Sequence, residues 1–520
     1  MIRTLTLLSL VAMVFCGCKP TERTALRKKH AQQAAADITP EQPLPAPEPA
    51  PIPVAPETPQ IEPADSLLLV NATLQEYNAM RPWEKETPRQ SRAQGIYLGN
   101  GQVLTVGRVV RDATYVELIL PDVSRTVPAR VLRYDEDLNL ALLTVAHEED
   151  AGIFESRAAL PLGDPLKRGD AAVYAGLING VEPVHVDMQA ENVAGDRVPL
   201  MVMRAARPLP EGQTAGAPLV REGKLSALGL AYKKQEQLLQ SVNAELIQRF
   251  LIQEEAGVPV MGVQLSPLDD PVFRRYLKLD DAANGLYISK VLPGSAAEAA
   301  GLQVGDVLTA VDGLPVDNQG RCDHPRYGLH HVAVLLRGMK NRGEQMPLSI
   351  SRGGETLQLA VEMNCDAVEK ALFRPQKPGV QPRYVVWGGM LFQPLTSTYM
   401  NELRTRSNGL LPLELQMLEN NQEELRAAGC TEPVGLTFVL PTAATQGYED
   451  LRFSRLVAVN GKAVNCFADL PALLDEQTEN GLVRLEFNKP PYTVYVDRSA
   501  ADEVNSHLQQ TAIPKLRVVE

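Results

Sequence analysis

Between Gly95 and Tyr232 the chain is cut into short β-rich runs: "GIYLGNGQVLTVGRVV", "ATYVELIL", "TVPARVLRY", "LNLALLTV", "AAVYAGLI", "LMVMRAA" and "LSALGLAY". Gly, Pro, Asn and Asp punctuate them. Serial short strands with turn residues between them specify an antiparallel barrel or sandwich. The pattern changes in "QSVNAELIQRFLIQ", where Val242, Leu246, Ile247, Phe250 and Leu251 recur at helical spacing and bring this β domain to an end near residue 256. With 520 residues, 44% of them hydrophobic, there is chain enough for about three domains with cores of their own.

The first residues carry an address. "MIRTLTLLSLVAMVFCGC" places Arg3 before an apolar run from Leu5 to Phe15. That run is far short of the roughly twenty residues of a spanning helix, so residues 1–17 read as a secretory signal. They resemble a bacterial lipoprotein signal, with Gly17 before a lipidated Cys18; ordinary signal cleavage is the alternative. Lys19, rather than Asp, after that cysteine implies sorting to the outer membrane, facing the periplasm. Residues 18–65 then form a Pro/Ala-rich tether, "PEQPLPAPEPAPIPVAPETPQIEP". Such a run favours extended polyproline geometry, a semi-rigid spacer of about 3.1 Å per residue, between a membrane anchor and a folded body.

Charge and motifs exclude several classes of function. The formal net charge is -12 and no Lys/Arg block is interleaved with aromatics, so nucleic acid is not an expected partner. There is neither a GxxxxGK[ST] loop nor a GxGxxG turn, which removes the common nucleotide cofactors. Seven histidines are scattered without HExxH or paired CxxC spacing, so neither a metal nor any other cofactor is expected. His330 and His331, on an expected helix, would point about 100° apart and read as a surface pair.

Three segments in order, "GIYLGNGQVLTVGRVV", "LNLALLTV" and "GQTAGAPLV", resemble the His, Asp and Ser segments of the HtrA/Deg family of trypsin-like proteases. In that family the first carries His in an LT-x-x-HVV-like string, the second Asp before a Leu-Ala run, and the third Ser in GNSGGPLV. Here Arg108, Asn139 and Ala215 stand at those positions, and Gln213 lies in the loop that would form the oxyanion hole. The resemblance implies a mainly β fold, a trypsin-like double β-barrel over residues 66–256, followed by two α+β PDZ or PDZ-like domains.

Residues 257–366 are similar to a PDZ domain of the same family: "PVMGVQL", "GLYISKVLPGSAAEAAGLQVGDVLTAVDGLPV" and "GLHHVAVLLRG". A strand edge open beside a helix can accept a peptide strand while backbone N–H groups hold its terminal carboxylate. On this resemblance Met261, Gly262 and Val263 are the carboxylate loop. Val332, Leu335 and Leu336 are walls of the peptide pocket, or else simply core. Residues 380–520, with "YVVWGGMLFQPLTSTYM", "GYEDLRFSRLVAVNGKAVNCFADLPALL" and "TAIPKLRV", resemble the divergent second PDZ-like domain of the plant-type Deg subgroup, associated there with oligomer assembly. The implied partners are polypeptides or protein C-termini, the membrane through a lipid anchor, and further copies of the chain, trimer-based if it follows the family.

Acyl transfer by the family's triad needs a hydroxyl nucleophile, a base with a lone pair and an anion to steady the imidazolium. Ala215 has no heteroatom, Arg108 is a permanent donor without an acceptor, and Asn139 lacks the charge. His147 and His185, the histidines of the β domain, lie outside these segments. Arg108 is then either a solvated surface arginine or a group reused to hold a carboxylate. The expected function is a catalytically inactive envelope lipoprotein that binds polypeptides as chaperone, adaptor or scaffold; the alternatives are an active endopeptidase using other residues and a purely structural assembly component. An exported compartment permits disulfides, and Cys322 with Cys365 and Cys430 with Cys466 would avoid crossing domains, with buried free thiols as the alternative.

Overall fold

The computed structural model describes residues 62–520, apart from 121–124, 196–197, 211, 213, 254–256, 281–282 and 338, with Leu335 described in its backbone alone. The signal, Cys18, most of the tether and Gln213 therefore lie outside the described residues. Pro63, Ala64 and Asp65, expected to end the tether, form a 3-10 turn with Ser66, the first residue assigned to the barrel domain, which is buried.

The serial strands close into two six-stranded barrels. The first comprises β1 (Leu67–Leu74), β2 (Arg89–Gly99), β3 (Gln102–Val106), β4 (Ala113–Leu120), β5 (Arg125–Asp135) and β6 (Leu140–Val145), ordered β1-β2-β3-β6-β5-β4. The second comprises β7 (Ala171–Ile178), β8 (Glu182–Ala194), β9 (Leu200–Ala205), β10 (Pro218–Arg221), β11 (Lys224–Lys233) and β12 (Leu238–Asn243), ordered β10-β11-β12-β9-β8-β7. Alternation sets the inward face: Val116, Leu118 and Leu120 of β4 are buried while Tyr115 is exposed. Tight hairpins use paired left-handed residues, Asn100-Gly101 between β2 and β3 and Asn179-Gly180 between β7 and β8. Only turns of this hand match the twist of the strands they join.

The helix expected over "QSVNAELIQRFLIQ" begins later than its periodicity suggests. Leu238–Asn243 remain in the barrel as β12, and the helix runs over Ala244–Ile252 with the Asn243 side chain accepting from the Ala244 N–H. A polar residue that can cap the first turn marks the switch.

A five-strand path, Val263–Ser266, Leu286–Val291, Val307–Val311, Gln345–Arg352 and Glu355–Glu362 in spatial order, forms the next sheet, with Leu314–Pro315 attached at its side. The groove helix expected over "GLHHVAVLLRG" is shorter than the reading proposed. Gly328–His331 pair instead as a strand with Arg321–His324, and helix remains only at Val332–Leu335. His330 and His331 are thus strand neighbours on opposite faces of a hairpin, because cross-strand pairing to Cys322 and Arg321 outweighs local helical preference. The last domain is an eight-stranded sheet whose C-terminal strand, Arg517–Val518, pairs with Tyr384–Trp387.

Contacts fix these domains to one another within the compact unit 59–520. Glu245, on the helix after the second barrel, bonds Arg249 (3.2 Å), the Tyr327 hydroxyl (2.9 Å) and Arg326. The β1–β2 loop docks on the last domain, where Trp83 packs on Tyr384 at 5.9 Å, and just before β4 the Asp112 carboxylate accepts from Gly379 N–H at 2.5 Å.

All four described cysteines are free thiols, which corrects the expected pairing. Cys322 is buried on the hairpin strand, whereas the Cys365 sulfur packs against Gly257 of the preceding linker. The Cys466 side chain caps the 3-10 turn Phe467–Asp469, and Cys430 is buried in the hydrophobic cluster with Leu415 and Leu425.

Candidate functional site

The cleft begins at the end of β3. Gly107–Val109 form a 3-10 turn, and Asn139 clamps it twice: its carbonyl accepts from Gly107 N–H and its Oδ1 from Arg108 N–H, both at 2.7 Å. Asn139 sits at φ 53°, a left-handed conformation that short polar side chains tolerate best. Gly107 is required for the approach, since a Cβ there would stand 3.0 Å from the Asn139 carbonyl carbon and 3.1 Å from Leu140 N. The structure thus places Arg108 and Asn139 in direct contact. The Arg108 side chain is exposed and has no hydrogen-bond or ion-pair partner among the described residues. Partial burial of its guanidinium lowers its pKa from the ordinary value, yet the group stays a cation without an acceptor.

Ala215 comes from the second barrel and meets the first at Gln94, whose N–H donates to the Ala215 carbonyl at 2.9 Å. Gln94 is a knot that the sequence reading missed. Its carbonyl accepts from the Thr105 hydroxyl at 2.7 Å, its Oε1 accepts from Leu177 N–H at 3.1 Å, and its side-chain nitrogen reaches Tyr174 OH at 3.5 Å. Gly216 passes so close that an added Cβ would lie 2.0 Å from the Gln94 oxygen, and its φ is +80°. Through Thr105, three residues before Arg108, and Gln94, the two barrels hold their facing loops in register. A buried glutamine in a strand gives no sequence signal of such a role; only its four long-range partners reveal it. His147 and His185 are both exposed and neither has a hydrogen bond to this cleft.

A second candidate is the turn before Val263–Ser266. Met261 is buried, and Gly262 has φ +83° with an added Cβ only 2.3 Å from Ser295 Cβ. Carbonyls there are satisfied: Met261 O accepts from Ala297 N–H at 2.9 Å and Gly262 O from Leu292 N–H at 2.8 Å. The N–H groups of Met261 and Gly262 have no acceptor among the described residues. Val263–Ser266 is an edge strand, paired only with Leu286–Val291. Two donors left open at a rigid turn beside an unpaired edge can take a carboxylate and a peptide strand together. Val332 (1% exposed) and Leu336 (6%) join Met261 in the domain core, with half-buried Val263 packed on it. The Leu335 side chain lies outside the description.

The last domain closes its corresponding Gly-Gly turn from within. Gly388 N–H donates to the Asn505 side chain at 2.8 Å, and the strand after the turn, Met390–Pro394, has a neighbour on each side. Asn505 lies on the helix Arg498–Thr511, more than a hundred residues from the turn, so no local pattern could have revealed this closure. Among the described residues no group of three or more His, Cys, Asp or Glu could hold a metal, and no helix is long and apolar enough to cross a membrane.

Comparison with known proteins locates these features in a lineage. Residues 251–323 and 374–517 each match a model described as a PDZ domain. The chain is 24% identical over 441 residues to Protease Do-like 2, chloroplastic, of Arabidopsis thaliana, covering 82% of this chain and 70% of that one. It is 21% identical over 239 residues to the periplasmic serine endoprotease DegP of Escherichia coli, covering 42% and 47%. Among solved structures, the HtrA-type protease AlgW with decapeptide aligns at 17% identity and a TM-score of 0.41, over 58% of this chain and 96% of that one.

Proposed function

Because this chain is an HtrA/Deg-like protein, a trypsin-like double barrel followed by PDZ domains, we propose that it holds polypeptides without cutting them. Arg108, Asn139 and Ala215 would occupy the places of a base, its carboxylate partner and a nucleophile, and none supplies the chemistry of its place. A methyl group cannot form an acyl intermediate, and a guanidinium cannot take a proton. Proteolysis by this route is therefore absent, while the clamps at Asn139 and Gln94 keep the barrel scaffold intact.

Binding is assigned to the first PDZ domain. The observation that carries this is the pair of unsatisfied N–H groups at Met261 and Gly262 beside the open edge of Val263–Ser266. Such donors suit a free C-terminal carboxylate, and the edge suits the extended residues before it. In the second PDZ domain the Asn505 cap and the flanked strand leave no such place, which fits a role in assembly with further copies of the chain. The lipoprotein-like signal and the kinship with a periplasmic relative support a lipid-anchored envelope location.

The test uses purified full-length protein and fluorescent peptides ending in a free carboxylate or an amide. Carboxylate-dependent binding, with no cleavage of casein, is the expected result. Binding indifferent to the carboxylate would remove the proposed capture mode, and casein hydrolysis retained in Ala215→Gly would show an active site elsewhere.

A further inference from the structure

Outside the cleft and the peptide edge, one cavity is defined by charge. It is a depression open to solvent, of about 320 Å³, lined by Lys370, Arg374, Arg426, Gly429, Cys430 and Thr431. Three cations converge there, Lys370 and Arg374 from one segment and Arg426 from another, in a chain whose formal net charge is -12. The lysine is paired with a carboxylate, but the two arginines have no ion-pair partner among the described residues. The Lys370 ammonium bonds Asp366 at 2.7 Å, but the Arg374 Nε reaches only the Ala371 carbonyl (3.3 Å) and Arg426 only the Lys370 carbonyl (2.9 Å).

A fourth cation lies behind the wall. Arg455 is 9% exposed, has no ion-pair partner among the described residues and leaves its Nε without a hydrogen bond. It reaches the sulfur of Cys430, a residue of the lining, whose thiol pKa is raised by its burial in spite of the nearby positive charge. A buried guanidinium without a counter-charge is costly, because desolvation is not offset by an anion. The remaining lining adds a hydroxyl at Thr431 and a glycine at 429, which leaves room for a compact ligand.

We propose that this cavity binds a phosphate-bearing anion. Planar guanidinium groups pair with phosphate oxygens through two parallel N–H bonds, and Arg374 and Arg426 both lack a carboxylate to compete for that role. Lys370 contributes a point charge, and Arg455 stabilises the anion from beneath. The rim joins the connection between the two PDZ domains to the second of them: Lys370 closes the helix Asp366–Glu369, and Arg426 belongs to the helix Gln422–Ala427. The Lys370 stem also stands 3.4 Å from the Cβ position of Gly294, beside the Gly262 turn. Occupancy of the cavity would therefore brace the first PDZ domain against the second.

The experiment is isothermal titration of the full chain with inorganic phosphate at constant ionic strength, with acetate and chloride as controls. Saturable binding to phosphate alone is expected, at least tenfold weaker in Arg374→Gln/Arg426→Gln. Phosphate should also raise the melting temperature of the wild type and not of that variant, whose folding, with Arg374 exposed and Arg426 half-buried, is checked by circular dichroism. Dihexanoyl phosphatidylglycerol and glycerol phosphate are then offered as competitors. Displacement by the short-chain lipid points to a lipid headgroup, and displacement by glycerol phosphate alone points to a free phosphate ester; either supports the site. No saturable binding, equal binding of acetate, or unchanged affinity in the double variant would overturn it.

Discussion

Substituting Gly262 by alanine isolates the geometry on which the proposed peptide capture depends. The new Cβ would stand 2.3 Å from Ser295 Cβ and 2.8 Å from its Oγ, at a φ of +83°. A left-handed L-residue costs about 1–2 kcal/mol. The Cβ–Cβ approach cannot be relieved by rotating a side chain, so the turn must move by more than 1 Å to reach ordinary contact, roughly 3.5–4 Å between carbons. That movement misaims the N–H groups of Met261 and Gly262, each of which, on the proposed capture mode, would make a charge-assisted hydrogen bond to a carboxylate worth about 1.5–3 kcal/mol. Loss of about 3 kcal/mol corresponds to a Kd roughly a hundredfold weaker. The control is Gly301→Ala, which has a similar φ of +80° but nothing within 4 Å of the new atom. It carries the strain without the collision. Fluorescence anisotropy with a free-carboxylate peptide should show about a hundredfold loss for Gly262→Ala, little change for Gly301→Ala, and partial recovery when Ser295→Gly is added to the first. Equal affinities for Gly262→Ala and Gly301→Ala would refute the reasoning, because the donors would then not depend on the turn.

Other consequences can be measured separately. Gly216→Ala drives a Cβ to within 2.0 Å of the Gln94 carbonyl; with the broken seam bond at about 1–3 kcal/mol and the strain at about 1–2 kcal/mol, it should lower urea stability well beyond Gly223→Ala, which meets nothing within 4 Å. His324 Nδ1 accepts from the N–H groups of Arg326 and Tyr327, and burial holds its pKa below the ordinary histidine value. The unfolded chain therefore binds the proton more readily, so its contribution is present above the unfolded pKa near 6.5 and is lost as pH falls through the folded value. Urea midpoints should decline more from pH 7.5 to 5 in the wild type than in His324→Asn. Glu245→Gln removes the charge that gathers Arg249, Arg326 and Tyr327, and faster limited proteolysis of the connection around Gly257 is the expected sign of a loosened first PDZ domain. Introducing serine alone, as Ala215→Ser, should leave casein uncut, since no base faces it.

Much of the architecture could be read before any coordinates. Alternating strands and Asn-Gly turns specify barrels because side-chain period and turn hand are local properties. The absence of a nucleophile at Ala215 and of a base at Arg108 is likewise independent of folding, since no packing supplies an atom that the side chain lacks. Where helical preference and hairpin pairing compete, the sequence is silent. Gly328–His331 carry a helical pattern, yet lie in a hairpin with Arg321–His324.

The site's less visible parts have the same origin. Gln94 became the seam of two barrels only when Ala215, Leu177 and Thr105 arrived from other strands. The Gly388–Gly389 turn is closed by Asn505, while the Gly262 turn stays open, although the two glycine turns look alike as strings. Lys370, Arg374, Arg426 and Arg455 are ordinary surface charges when read in order. What the sequence determined alone was which atoms exist and which short elements they favour; tertiary structure decided which donors remain unpaired and which charges share a cavity, because both depend on residues brought together from far along the chain.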